Sequence, residues 1–113
     1  MESPIDREAF SAFVEQSGIF GTAQKSMEQR LKSWYMDEPE QFTDDMRADL
    51  ETVMRTYRFH NAMLSFNKDF RFDPPLDTIT CIIAINDDED DHCVFYRAIF
   101  DCDLNIIDDV ISP

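Results

Sequence analysis

The chain has 113 residues, 43% of them apolar, and carries 24 acids against 10 bases for a net charge of −14. That length suits one domain, 1–113, with room for a real core, and so high an apolar content excludes wholesale disorder, which needs low hydrophobicity as well as high charge. The charge excludes the ordinary basic-patch route to nucleic acid or to an anionic membrane, because both would be repelled.

In chain order, Ser3 is a suitable N-cap, Pro4 suits the first helical position and Asp6 puts negative charge in the first turn. Ile5, Ala9, Phe10, Phe13 and Val14 then share one face of a first helix, and Gly18 suits the left-handed residue that ends it. Ile19 and Phe20, between the only two glycines, read as a tight apolar connector. Thr22 is the expected cap of a second helix with the stripe Ala23, Met27, Leu31, Trp34 and Tyr35, stopped at Asp37-Glu38-Pro39 because the residue before proline avoids helical angles. Thr43 is the expected cap of a third, with Asp44 and Asp45 in its first turn and a buried face of Met46, Leu50, Val53, Met54 and Tyr57. Its end is open between a helix running to Leu64 and a switch to strand near Phe59.

The period then changes from helical to alternating. Leu64, Phe66, Phe70 and Phe72 have strand spacing, for one long strand or for a hairpin turning at Asn67-Lys68, and Pro74-Pro75 ends it. Thr78 to Ile85 is almost continuously apolar and β-branched, the pattern of a central strand covered on both faces. Asp87 to Asp91 is an acidic turn, His92 to Phe100 a strand, Asp101-Cys102-Asp103 a turn, and Leu104 to Ile111 the last strand. The expected fold is therefore α+β: about three N-terminal helices packed on one face of a three- to four-stranded antiparallel meander. From Pro74 onward there are ten acids and a single base, Arg97, so the sheet half is the expected electrostatic centre.

Motifs for catalysis are missing from the sequence. Asp101-x-Asp103-x-Asn105 opens like a calcium loop, but Ile106 stands where glycine is needed and Ser112 where the bidentate glutamate is needed. His60 and His92 have no partners at zinc spacing, and His92 and Cys93, as strand neighbours, point to opposite faces. Two glycines in all leave no phosphate loop and no nucleophile elbow. No cofactor, no metal and no catalytic residue is expected. Cys81, Cys93 and Cys102 are too few, and odd in number, for a disulfide framework. With no basic-apolar leader at the N-terminus and no membrane-length apolar run, a reducing, cytoplasmic setting is the expectation.

In physical type the chain resembles bacterial immunity proteins and phage-encoded inhibitors of nucleic-acid enzymes, which are small, acidic and cytosolic. That resemblance implies a stoichiometric inhibitor of a basic partner protein, a nuclease toxin or another nucleic-acid-binding protein. Asp87, Asp88, Glu89, Asp90, Asp91, Asp101, Asp103, Asp108 and Asp109 would meet the partner's basic cleft, and Trp34 and Tyr35, otherwise core, are the candidate apolar anchor. Two alternatives stand beside it. The order of helices then meander is loosely similar to the NTF2-like cone folds, which would imply an apolar ligand pocket lined by Phe66, Phe70 and Tyr96. The other is an acidic secretion chaperone or adaptor working as a dimer.

Overall fold

Asp6 opens the first helix, α1 (Arg7–Ser17), by accepting the backbone N–H groups of Glu8 and Ala9 at 3.0 and 3.1 Å. The computed structural model describes residues 6–89 and 92–112. Ser3 and Pro4, expected to start this helix, lie outside the described residues. Asp6 is its N-cap and not a first-turn residue, since a carboxylate just ahead of the helix satisfies two otherwise orphaned donors. Gly18, at φ 63°, ends α1 as its composition suggests, and its carbonyl at once accepts the N–H of Thr22. Helix α2 (Ile19–Asp37) therefore begins at Ile19, inside the stretch expected to be a connector. Thr22 is not its cap but lies in its first turn, with its hydroxyl also donating to the Gly18 carbonyl.

The expected third helix is two short ones. Pro39 at the first helical position starts α3 (Pro39–Met46), so Thr43 lies inside it and donates its hydroxyl to the Pro39 carbonyl. The chain breaks at Arg47, which adopts the left-handed conformation at φ 62°. Helix α4 (Leu50–Thr56) then starts from Asp49, whose side chain accepts the Thr52 N–H at 2.9 Å. The Tyr57 hydroxyl donates to the Met46 carbonyl, tying the end of α4 to the end of α3.

The sheet follows as four antiparallel strands in the order β1 (Arg58–Asp69), β2 (Leu76–Asn86), β3 (Cys93–Phe100), β4 (Ile106–Ser112). The switch from helix to strand thus falls just before Phe59. Strand β1 passes straight through Asn67 and Lys68, which pair with Thr78 and Asp77. Phe70 and Phe72 lie beyond the strand, in the connection to β2, because Asp73-Pro74-Pro75 cannot continue a ladder. The last turn extends through Leu104, at φ 65°, so β4 begins two residues later than its apolar pattern suggests. Both edge strands carry a one-residue bulge: the pairing skips Ala62 in β1 and Ile107 in β4.

All four helices lie on one face of this meander. Ala23, Met27 and Leu31 of α2, Phe42 and Met46 of α3 and Val53 of α4 form a single buried cluster with Ile79, Cys81, Ile83, Ile85, Val94, Tyr96, Ala98 and Phe100. Those strand residues alternate within each strand and pair across β2 and β3, Ile79 with Phe100, Cys81 with Ala98, Ile83 with Tyr96 and Ile85 with Val94, so they share one side of the sheet. The expectation that β2 is covered on both faces is therefore corrected. Of its alternate residues Ala84, the smallest, is buried, and Thr78, Thr80 and Ile82 are only half-buried, because no described helix crosses that side. A polar link fixes α2 over the sheet. The Tyr96 hydroxyl lies 2.9 Å from both Ser26 Oγ and Asp109 Oδ2, and Asp109 in turn faces Arg30 at 3.8 Å. With one proton, the phenol donates to the carboxylate and accepts from the serine. Burial pushes its pKa up to about 12, with the neighbouring carboxylate acting in the same direction.

Candidate functional site

Up-and-down connectivity brings the β1–β2 connection and the β3–β4 turn to the same end of the sheet. The two touch where the Cys102 thiol lies 3.6 Å from the Asp77 carbonyl. In the longer connection Phe70 and Phe72 are 76% and 51% exposed, and Leu76, at the start of β2, is exposed as well. Phe66, at the same end of β1, is half-exposed yet anchored from behind by Phe10 and Phe13, whose ring centroids lie 5.3 and 5.4 Å from its own. A shallow depression of about 440 Å³ lies between Phe13, Phe66, Asp77 and Cys102.

Carboxylates gather at the same end of the sheet. Asp69 forms a forked pair with Arg71, with contacts of 2.6 to 3.1 Å, and that guanidinium holds its carboxyl down at about 2. Lys68 faces Asp77 at 3.5 Å. Asp101 accepts the backbone N–H groups of Asp103 and Asn105, both at 2.9 Å, and those bonds, the Asn105 one foremost, lower its pKa. This is a self-capped polar turn, as the failed calcium spacing implies. Asp73 and Asp103 are left exposed at the rim.

The opposite end, about 26 Å away along an eight-residue strand, is also acidic but built differently. A cleft of about 610 Å³ lies between the end of α2, α3 and the starts of β3 and the end of β4. Asp37, Glu38, Asp44 and Asp45 line it together with Arg30, Arg47 and His92. His92 Nε2 is 2.7 Å from the Asp45 carbonyl, to which it donates, so the ring straps the β2–β3 turn to α3. Asp87 and Asp88 on that turn add to burial in raising the pKa of Tyr57.

The structure therefore divides the carboxylates grouped by sequence. Asp101 and Asp103 belong to the two-turn end, Asp87, Asp88 and Glu89 to the opposite end, and Asp90 and Asp91 lie outside the described residues. Asp108 faces the side of the sheet away from the helices, and Asp109 is spent within the fold on Tyr96 and Arg30. Trp34 and Tyr35 are half-buried edge-on against Phe42, with centroids 4.8 and 5.1 Å away, and pack against the core. The exposed aromatic residues are Phe66, Phe70, Phe72 and Phe95 instead, with the first three at the two-turn end. Alternation had placed Phe70 and Phe72 on a strand, although Asp73-Pro74-Pro75 directly after them marks the whole segment as a connection. His92, Arg47 and the acids of α3 also escaped notice as a group, because only the break at Arg47 folds them against the β2–β3 turn.

Among the described residues no three His, Cys, Asp or Glu side chains converge as a metal site would require. Phe66, Phe70 and Tyr96 do not share a cavity: Tyr96 is fully buried while Phe70 stands in solvent. No described helix is long and apolar enough to cross a membrane. No protein-family model, curated protein or solved structure matches the chain.

Proposed function

We propose that this protein is a small acidic binding module of the immunity-protein or phage-inhibitor type, which occupies the basic, nucleic-acid-handling surface of a partner protein. The observation that carries the reading is the two-turn end: the exposed rings of Phe70 and Phe72 set among Asp73, Asp77, Asp101 and Asp103. Exposed carboxylates alone give speed and selectivity but little affinity. Affinity comes from a few apolar anchors buried at the centre of a contact, with charges at its rim. This end has both, and the two ion pairs within it, Lys68–Asp77 and Arg71–Asp69, leave its balance negative. The net charge of −14 steers a cationic partner from a distance, and a partner surface built to hold phosphates supplies the matching field.

The test is affinity capture from the native host with wild-type protein and with Phe70→Ala/Phe72→Ala. The wild type is expected to retain a basic protein whose nucleic-acid binding it competes away, with an association rate that falls steeply as salt rises. The double variant is expected to bind at least roughly tenfold more weakly, through faster dissociation. Association indifferent to salt would remove the electrostatic mechanism, and equal binding by the double variant would remove the two-turn end.

A further inference from the structure

The side of the sheet away from the helices has a composition unlike the rest of the molecule. Cross-strand pairing sets three central rows on it: Met63, Ile82, Arg97 and Val110; His60, Ala84, Phe95 and Ser112; Ser65, Thr80, Ile99 and Asp108; Arg58, Asn86 and Cys93 flank them at one end, and the pairs Asn67–Thr78 and Asp69–Leu76 at the other. Met63 and Phe95 are 52% and 41% exposed, and Ile82, Ile99 and Val110 are half-buried only by their neighbours within the face. Over the whole face the acids are Asp69 and Asp108 and the full bases Arg58 and Arg97, so in a chain of net charge −14 this face is close to neutral. The side chain of Arg97, the single base after Pro74, has no hydrogen-bond or ion-pair partner among the described residues, and it is exposed.

We propose that a second copy of this chain seats on this face, sheet against sheet, to form a two-fold dimer. A basic partner is a poor occupant, because it would meet an unpaired guanidinium where it needs carboxylates. A second copy meets its own complement. Arg97 and Asp108 are diagonal neighbours on β3 and β4, about 7 Å apart, so a two-fold axis passing between them lays each Arg97 over the other copy's Asp108. Phe95, Met63 and Val110 fill the space around these two pairs. Four strands at about 4.8 Å spacing and eight residues at about 3.3 Å give a footprint of about 500 Å² per copy. The two copies together bury about 1,000 Å², the lower bound for a specific interface. The result is a face-to-face packing of two sheets, in which both faces of β2 are covered.

The whole-molecule charge opposes this association, so its salt dependence has the reverse sign from capture of a cationic partner. Salt screens the repulsion between two −14 bodies while leaving an apolar contact intact. Sedimentation equilibrium of the full chain tests this, from about 5 to about 500 μM protein and from about 0.05 to about 0.5 M salt. The expected result is a monomer–dimer equilibrium that tightens at least about tenfold with salt. Phe95→Asp is expected to abolish the dimer, Arg97→Glu to weaken it, and Arg97→Glu/Asp108→Arg to restore it, with circular dichroism reporting the fold of each. Should Phe95→Asp fail to fold, the charge swap still reads the interface. A single-chain mass under every condition, a dimer untouched by the swap series, or a dimer lost in Phe70→Ala/Phe72→Ala would overturn the proposal. The first two outcomes leave capture of a basic protein by the two-turn end untouched, whereas the third would make that end the dimer contact.

Discussion

The two faces of the sheet are written in the same strands, residue by residue, and differ in almost everything else. On the helix side, Ile79, Cys81, Ile83, Ile85, Val94, Tyr96, Ala98 and Phe100 are buried and locked by α2, α3 and α4. On the other side, Thr80, Ile82, Arg97 and Ile99 have only one another for cover. Alternation lets one strand give one register to the core and leave the other open. Substitutions on the helix side should therefore act on the folding equilibrium, and those on the open side on association.

The largest effect expected is at Phe42, which is fully buried and holds both Trp34 and Tyr35 edge-on. Phe42→Ala should cost about 3–5 kcal/mol of stability by denaturant unfolding. Met63→Ala on the open face should cost less than about 0.5 kcal/mol by the same measurement, and equal losses would break the contrast. Next is Tyr96→Phe. It removes the hydroxyl between Ser26 and Asp109 and should cost about 1–2 kcal/mol, leaving a partly buried carboxylate with only Arg30.

The three thiols sharpen the comparison without changing stability. Burial pushes the Cys81 thiol up to about 11, so it should stay unlabelled by a thiol reagent until the chain unfolds. Cys102, exposed on its turn, should react first, and half-buried Cys93 between the two. Rapid labelling of Cys81 in the native protein would show that the helix layer opens readily.

The smallest effect lies in the acid limb of the pH–stability profile. Asp69 is held at about 2 by Arg71, below the ordinary carboxylate value of 3.8. A carboxyl whose folded pKa is depressed contributes stability that is complete above its unfolded value. That contribution fades as pH falls from about 4 through about 2. Asp49 and Asp101, lowered through their bonds to Thr52 and Asn105, act in the same direction. Asp69→Asn should therefore flatten the fall of Tm in that window, slightly because the pair is exposed, and a parallel profile would show that the pair contributes nothing.

The element order and the buried stripe of α2 were legible in the sequence because periodicity reports which residues must leave water: Ala23, Met27 and Leu31 recur at helical spacing and all three are buried. The break at Arg47 was not, since a left-handed residue that is neither glycine nor asparagine carries no composition signal. The coverage of β2 was misread for an instructive reason. Thr78 to Ile85 has apolar residues on both registers, which reads as two covered faces, yet the chain supplies a helix layer for only one. Of the candidate site, the carboxylates were legible as a surplus but not as places. Their distribution depends on which turns the meander stacks at each end, and on Asp109 being drawn inward by Tyr96.

The skipped residues Ala62 and Ile107 put an irregularity on each outermost strand of the sheet. A flat, regular border would offer a ladder of free amides and carbonyls to any passing strand, and growth by that route has no natural end. With both borders kinked, lateral addition of chains is blocked on either side. Such a chain, even concentrated and stripped of its charge by acid or salt, is steered toward finite particles and away from fibrils.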